Sequence, residues 1–160
     1  MKSKLYIIPG WEETCRRKVY KEIAIIAEKK GYEVVFKNVD WKKPLSPQVF
    51  PVAKDDIIFG FSLGAILAWL IAQNYTCKHL ILASMTPHYN FTDKEIKKLL
   101  IEITGSRFVN DVNKNLKSKN KTKKQTILYG DLEGEKGNIL VLNTDHEITK
   151  NYLKVINKIL

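Results

Sequence analysis

Short apolar runs alternate with stretches of helical spacing along almost the whole chain. Leu5 to Ile8 is the first run, ended by Pro9-Gly10. Glu12 to Lys30 then sets Cys15, Val19, Ile23 and Ile26 on one helical face before Gly31 stops it. Glu33 to Lys37 is a second strand candidate, after which Pro44, Pro47 and Pro51 forbid regular structure until Asp56. Ile57 to Gly60 predicts a third strand and Leu63 to Asn74 its following helix. Leu80 to Ala83 predicts a fourth strand, closed by Thr86-Pro87. A helix is expected over Asp93 to Ile103 with Thr92 as its N-cap, strands at Ile127 to Tyr129 and Ile139 to Leu142, and a last helix from about Glu147. That helix would bury Ile148, Tyr152, Val155, Ile156 and Ile159. Continuous apolar strands separated by helices predict an α/β protein: a three-layer α/β/α arrangement around a mostly parallel, six-stranded sheet covered on both faces.

Length and composition narrow this picture. The chain has 160 residues, 44% of them hydrophobic and 28% charged, which suits one globular domain over 1–160. Its 27 Lys and Arg against 17 Asp and Glu leave a net charge of +10, which raises the question of a nucleic-acid or membrane partner. The excess is lysine: only Arg16, Arg17 and Arg107 are arginines, and abundant Ile and Asn beside few Ala are what AT-rich codons produce. The densest stretch, Asn113 to Lys124, lacks the interleaved aromatics of a single-strand binder and any zinc or basic-zipper spacing, so it reads as a solvated loop rather than a nucleic-acid surface. Cys15 and Cys77 allow at most one bridge and the N-terminus lacks signal-peptide segments, which reads as a cytoplasmic protein with free thiols. Ile57 to Cys77 carries no charge, but Gly60, Ser62 and Gly64 break it and Gln73, Asn74 and Thr76 end it. A buried strand and helix is expected there, with no membrane span.

In such a sheet, ligands bind at the carboxyl ends of the strands. The turns there hold Gly10-Trp11, Ser62, Thr86-Pro87-His88, Asp131 with Glu133, and His146. Gly60-Phe61-Ser62-Leu63-Gly64 is a G-x-S-x-G sequence between the strongest strand and the strongest helix, the context of a nucleophile elbow. There a serine hydroxyl is lifted clear of the sheet, and the first amide of the helix, that of Leu63, can donate to a developing oxyanion. Among three histidines, His79 falls at the wrong end of the sheet, while His88 and His146 both fall at the right end. His146 is preferred because it follows the last strand.

On these motifs the chain resembles the α/β-hydrolase superfamily over nearly its whole length. Ile7-Ile8-Pro9-Gly10-Trp11 is similar to the strand and turn that supply the second oxyanion amide, here Trp11, with Pro9 standing where that family usually has His. Tyr129-Gly130-Asp131-Leu132-Glu133 resembles the turn that supplies the triad acid. Asn143-Thr144-Asp145-His146-Glu147 resembles the segment that supplies the histidine, with Asp145 replacing the usual Gly. The resemblance implies the strand order 2-1-3-4-5-6, a catalytic set of Ser62, His146 and Glu133 with Asp131 as the second choice of acid, and no metal or cofactor.

The acid raises a geometric problem. Only the eight residues from Asp131 to Asn138 separate the last two strands, whereas a parallel crossover normally takes about a dozen or more. Eight extended residues reach roughly 26 Å, so an irregular return is allowed. A hairpin at Gly134 to Gly137 with an antiparallel fifth strand is the easier alternative, and it would leave the acid to Asp145, Asp93 or Asp40, or to none. Residues 87–125 are long enough for a small lid, in which Tyr89, Phe91, Leu99, Leu100, Ile103 and Phe108 either roof an acyl pocket opposite Trp11 and Trp41 or simply cover the sheet. The expected substrate is a small-molecule acyl ester or thioester, drawn in, if the positive charge has a role, on an acidic carrier. Lipase, amidase and peptidase chemistry use the same machinery, and a catalytically inactive binding module of this fold is the competing expectation.

Overall fold

The structure, a computed structural model, describes residues 2–85 and 94–160. The expected Thr86-Pro87 turn, His88, Tyr89, Phe91, the Thr92 cap and Asp93 lie outside the described residues. Six strands form one sheet: β1 Lys4–Ile8, β2 Glu33–Phe36, β3 Ile57–Phe61, β4 His79–Ala83, β5 Gln125–Gly130 and β6 Ile139–Val141. Their order is β2-β1-β3-β4-β5-β6 and every neighbouring pair is parallel. The chain therefore reverses its direction of winding between β1 and β3, and all six carboxyl ends lie along one edge.

Five helices flank this sheet among the described residues: α1 Lys18–Lys29, α2 Leu63–Asn74, α3 Lys94–Thr104, α4 Ser106–Asn115 and α5 Lys150–Ile159. Successive strand residues point to opposite faces, and the core divides accordingly. Leu5, Ile7, Phe59 and Leu128 meet Tyr20 and Ile23 of α1 and Tyr152 and Ile156 of α5 on one face. On the other, Ile8, Ile58, Leu80 and Leu82 meet Ile66 and Leu70 of α2 and Phe108, Val109 and Val112 of α4. From Leu63 to Ala72 every residue of α2 is buried. A helix apolar all round belongs in the middle of a core, which accounts for the uncharged stretch from Ile57 to Cys77. No helix among the described residues is long and apolar enough to cross a membrane.

The alternative of an antiparallel fifth strand is not realised. β5 runs parallel to β4 and to β6, because β6 is short and pairs only with the end of β5: Leu128 with Ile139, Tyr129 with Leu140, Gly130 with Val141. A chain leaving at Gly130 thus re-enters the sheet level with Leu128, a return of two residues, about 7 Å. Eight residues cover that without a helix. Asp131–Glu133 make a single 3-10 turn, Gly134 at φ 73° turns the chain back, and Asn138 Oδ1 accepts from the Ile127 amide at 2.8 Å.

Two helices start later than their sequences suggest. Residues 11–17 are turns rather than the first part of α1, with Glu12 at φ 55° and the Glu13 amide closing a turn on Gly10 O at 3.1 Å. The last helix starts at Lys150, where the Thr149 side chain caps it by accepting from the Tyr152 amide at 3.3 Å. In the segment expected as a lid, α3 and α4 form a helical pair. Leu100 and Phe108 are buried against the core, whereas Leu99 and Ile103 are exposed.

Candidate active site

Four non-glycine residues among those described have positive φ: Glu12, Ser62, Ser84 and Asn143. They lie in the turns that leave β1, β3, β4 and β6, all at the carboxyl edge of the sheet. Such conformations cost on the order of 1–3 kcal/mol each and persist where the surroundings impose them. Backbone strain is therefore gathered at the edge where the candidate residues meet.

Ser62 is the sharpest case, at φ 53° and ψ −124°, immediately before α2. Its amide donates to Ala83 O at 2.9 Å, which ties the elbow to β4. Both flanking glycines are required by close approach. A Cβ on Gly60 would lie 2.6 Å from Gly64 O, and one on Gly64 would lie 2.1 Å from Pro9 O. The second contact is with the chain leaving β1, so the elbow is wedged between its own helix and the Pro9-Gly10 turn. A Cβ on Gly10 would stand 3.3 Å from Ser62 Cβ, which puts the Gly10-Trp11 turn directly against the serine.

His146 reaches the same point from the turn after β6. Its Nε2 lies 2.8 Å from Ser62 Oγ, its Nδ1 lies 2.7 Å from Glu133 Oε1, and its ring packs on Phe61 with centroids 5.3 Å apart. A carboxylate can only accept, so Nδ1 carries the proton and Nε2 is left to accept from the serine hydroxyl. The imidazole is half exposed, whereas the Glu133 side chain is only 6% exposed. Burial alone would raise the Glu133 carboxyl, but hydrogen bonds from His146, Ser84 and the Gly130 amide outweigh it and hold the group below its ordinary value. It stays ionised beside the imidazole.

The other acids are engaged elsewhere. Asp131 Oδ1 accepts from the Thr144 amide at 3.0 Å, and this bond holds its carboxyl below the ordinary value. With Leu132 N donating to Thr144 O at 3.0 Å, it pins the turn after β5 to the turn after β6. Asp145 accepts from the His146 amide at 2.8 Å, and Asp40 pairs with Lys43 at 3.1 Å. His79 sits at the far edge of the sheet, buried, with Nε2 2.8 Å from Thr126 Oγ1. Burial, reinforced by Lys124 and Lys78, pushes its pKa down to about 4.

Leu63 is the first residue of α2, so its N–H has no acceptor within the helix. Trp11 follows Gly10, whose amide donates to the hydroxyl of the fully buried Tyr20 at 3.1 Å. That hydroxyl in turn donates to Glu13. Among the described residues neither the Trp11 nor the Leu63 amide donates a hydrogen bond. Two surfaces carry residues of the candidate site, His146 in one and Trp11 in the other. A cleft of about 170 Å³ beside His146 is lined by Glu13, Arg17, Phe61 and Glu147. The Trp11, Trp41 and Phe108 rings form a cluster, with Trp11 5.3 Å from Trp41 and 6.4 Å from Phe108.

Sequence reasoning missed Ser84, whose hydroxyl donates to Glu133 Oε2 at 2.7 Å, and it placed Tyr152 only as a core residue, although its hydroxyl lies 2.9 Å from Ser84 Oγ. The available signal was a serine directly after an unbroken apolar strand, and it is weak. The Lys-rich stretch also falls where the sequence did not foresee. Lys121 N donates to Ala72 O, Lys123 N to Cys77 O, and Lys124 O accepts from Leu80 N, so it lies at the amino edge of the sheet, opposite Ser62.

No protein-family model matches the sequence, and no curated protein matches it. Among solved structures, the 1.80 Å crystal structure of a protein named "Putative hydrolase" from Agrobacterium vitis S4 is similar over 98% of this chain and 86% of that one, with a TM-score of 0.65 and 12% sequence identity. At that identity the likeness speaks for the fold.

Proposed function

We propose that this protein is a serine hydrolase of the α/β-hydrolase type, cleaving a small carboxylic ester or thioester through an acyl-Ser62 intermediate. The observation that carries the reading is the double engagement of His146, 2.8 Å from Ser62 Oγ and 2.7 Å from Glu133 Oε1, on a strained strand-to-helix elbow. The name of the Agrobacterium vitis protein points the same way.

A serine hydroxyl is a weak nucleophile until a base takes its proton. In this reading His146 Nε2 accepts the Ser62 proton as Oγ attacks the carbonyl carbon, and Glu133 stabilises the resulting imidazolium without being protonated. The Trp11 and Leu63 amides donate to the oxygen that becomes negative. Collapse breaks the bond to the alkoxide or thiolate, which leaves with the His146 proton. Water, deprotonated by His146, then attacks the acyl-serine, and collapse returns the proton to Ser62. The small cleft beside His146 suits a short leaving group, and the Trp11, Trp41 and Phe108 rings suit a short apolar acyl group, covered by α3 and α4 within a single domain.

The short Asp131 to Asn138 segment, which together with Asp145 in place of the usual Gly favours an inactive binding module, leaves Glu133 within hydrogen-bond reach of His146. Hydrolysis of p-nitrophenyl acetate is the test. The expected result is turnover that falls by about 10³-fold or more in Ser62→Ala and in His146→Ala. A rate that neither substitution changes would overturn the proposal.

A further inference from the structure

We infer that Ser84, backed by Tyr152, is a positioning residue that locks the Glu133 carboxylate in the one orientation that serves His146. The inference rests on the reading of Glu133 as the acid of a serine hydrolase. Glu133 has two oxygens and both are committed. Oε1 faces His146 Nδ1 at 2.7 Å, while Oε2 accepts from Ser84 Oγ at 2.7 Å and from the Gly130 amide at 2.6 Å.

A serine hydroxyl has one proton to donate. Given to Glu133, it leaves Ser84 Oγ as an acceptor, and the single proton of the Tyr152 hydroxyl is shared between Ser84 Oγ at 2.9 Å and Leu128 O, which accepts it at 3.1 Å. The Ser84 proton is thereby directed to the carboxylate, and the Tyr152 hydroxyl of α5 backs the serine oxygen from behind. Ser84 and Tyr152 are both fully buried. Ser84 also holds φ 43°, a conformation natural to glycine, with its amide bonded to Leu128 O at 2.7 Å. A strained serine at a site that glycine would fill more comfortably is explained by what its hydroxyl does.

Two donors on Oε2 prevent the carboxylate from rotating its second oxygen toward solvent, and they keep it ionised in a buried place. Among the described residues, the titratable groups around this point are His146 from the turn after β6, Tyr152 from α5 and Tyr129 from β5, whose hydroxyl donates to Met85 O at 2.8 Å. His146 is hydrogen-bonded to the carboxylate directly, so a change at Ser84 reaches the pair they form.

The test compares Ser84→Ala, Tyr152→Phe and the double variant with the wild type in two measurements. One is the ¹³C NMR titration of the Glu133 carboxyl in glutamate-labelled protein, assigned by its loss in Glu133→Gln. The other is kcat and KM for p-nitrophenyl acetate. Removing the Ser84 hydroxyl is expected to move the Glu133 midpoint upward and to lower kcat by about ten- to a hundredfold with little change in KM, the range for losing a hydrogen bond to a charged group. Tyr152→Phe is expected to act in the same direction more weakly, and the double variant to match Ser84→Ala alone, because the two residues act in series. Should Ser84→Ala fail to fold, Ser84→Gly removes the hydroxyl while relieving the positive φ. An unmoved Glu133 midpoint in the serine variant that folds, or full additivity of the two substitutions, would overturn the inference. A moved midpoint in a protein with no turnover would instead uphold the positioning role and discard the hydrolase reading.

Discussion

His146 stands between two unlike neighbours, a partly buried serine hydroxyl and a carboxylate enclosed by donors, and its proposed role as a base depends on that difference. Replacing Glu133 with Gln keeps the shape and removes the charge. It also allows the amide to present N–H to the ring, which favours the wrong tautomer. The expected result is a fall in kcat of about 10³- to 10⁴-fold with KM nearly unchanged, measured by steady-state kinetics. The same residue affects stability. Its carboxyl is held below the ordinary value in the folded chain, so its contribution is present above the unfolded pKa, about 4.5, and is lost as pH falls through the lower folded value. Urea midpoints of wild type and Glu133→Gln should therefore differ at pH 7 and draw together only as pH falls below 4.5 through the lower folded value. Ser62, His146 and Glu133 were legible because each sits in a short motif at a strand end. Ser84 was not, because its partners come from β5, the turn after it and α5, and no local spacing records that meeting.

At the scale of elements, the elbow is a packing device whether or not it is a catalytic one. Gly64 faces the carbonyl of Pro9, and Gly64→Ala would place a methyl 2.1 Å from that oxygen. Neither backbone can yield without moving β1 or α2. A loss of about 3 kcal/mol or more is expected in urea unfolding, at the upper end of overpacking costs. A variant as stable as wild type would show that the strand and helix are not so tightly apposed. The helix Leu63–Asn74 could be read from the sequence to the residue, because an apolar run between Ser62 and a polar end has one solution. The starts of α1 and α5 could not. Glu12 to Arg17 has the composition of a helix, yet the Tyr20 hydroxyl holds Gly10 and Glu13 in a turn. The parallel return from β5 to β6 was hidden because its length depends on where β6 begins, which periodicity does not report.

Across the whole molecule, charge and protonation act at the edge away from the serine. His79 is buried, neutral and depressed to about 4, so below about pH 6.5 the unfolded chain takes up a proton that the folded chain refuses. Stability should fall as pH drops from 6.5 towards 4, by about 3 kcal/mol in total, and His79→Gln should flatten that slope in urea titrations. The lysines of 117–124 are anchored at the same amino edge, so their field is poorly placed to steer an anionic substrate to Ser62. Replacing Lys117, Lys119, Lys121 and Lys123 with Gln is expected to leave kcat/KM for an anionic ester within about twofold. A three-layer fold around a mostly parallel sheet was legible from alternation alone, whereas this placement of charge followed only from the loop's bonds to Ala72 and Cys77. The central claim is that Ser62 is an activated nucleophile, and the most direct measurement is intact-protein mass after exposure to a fluorophosphonate. The account predicts a single adduct, located on Ser62, that forms in the wild type, slows sharply in His146→Ala and is absent from Ser62→Ala. Equal labelling of wild type and Ser62→Ala, or no labelling of either, would contradict it.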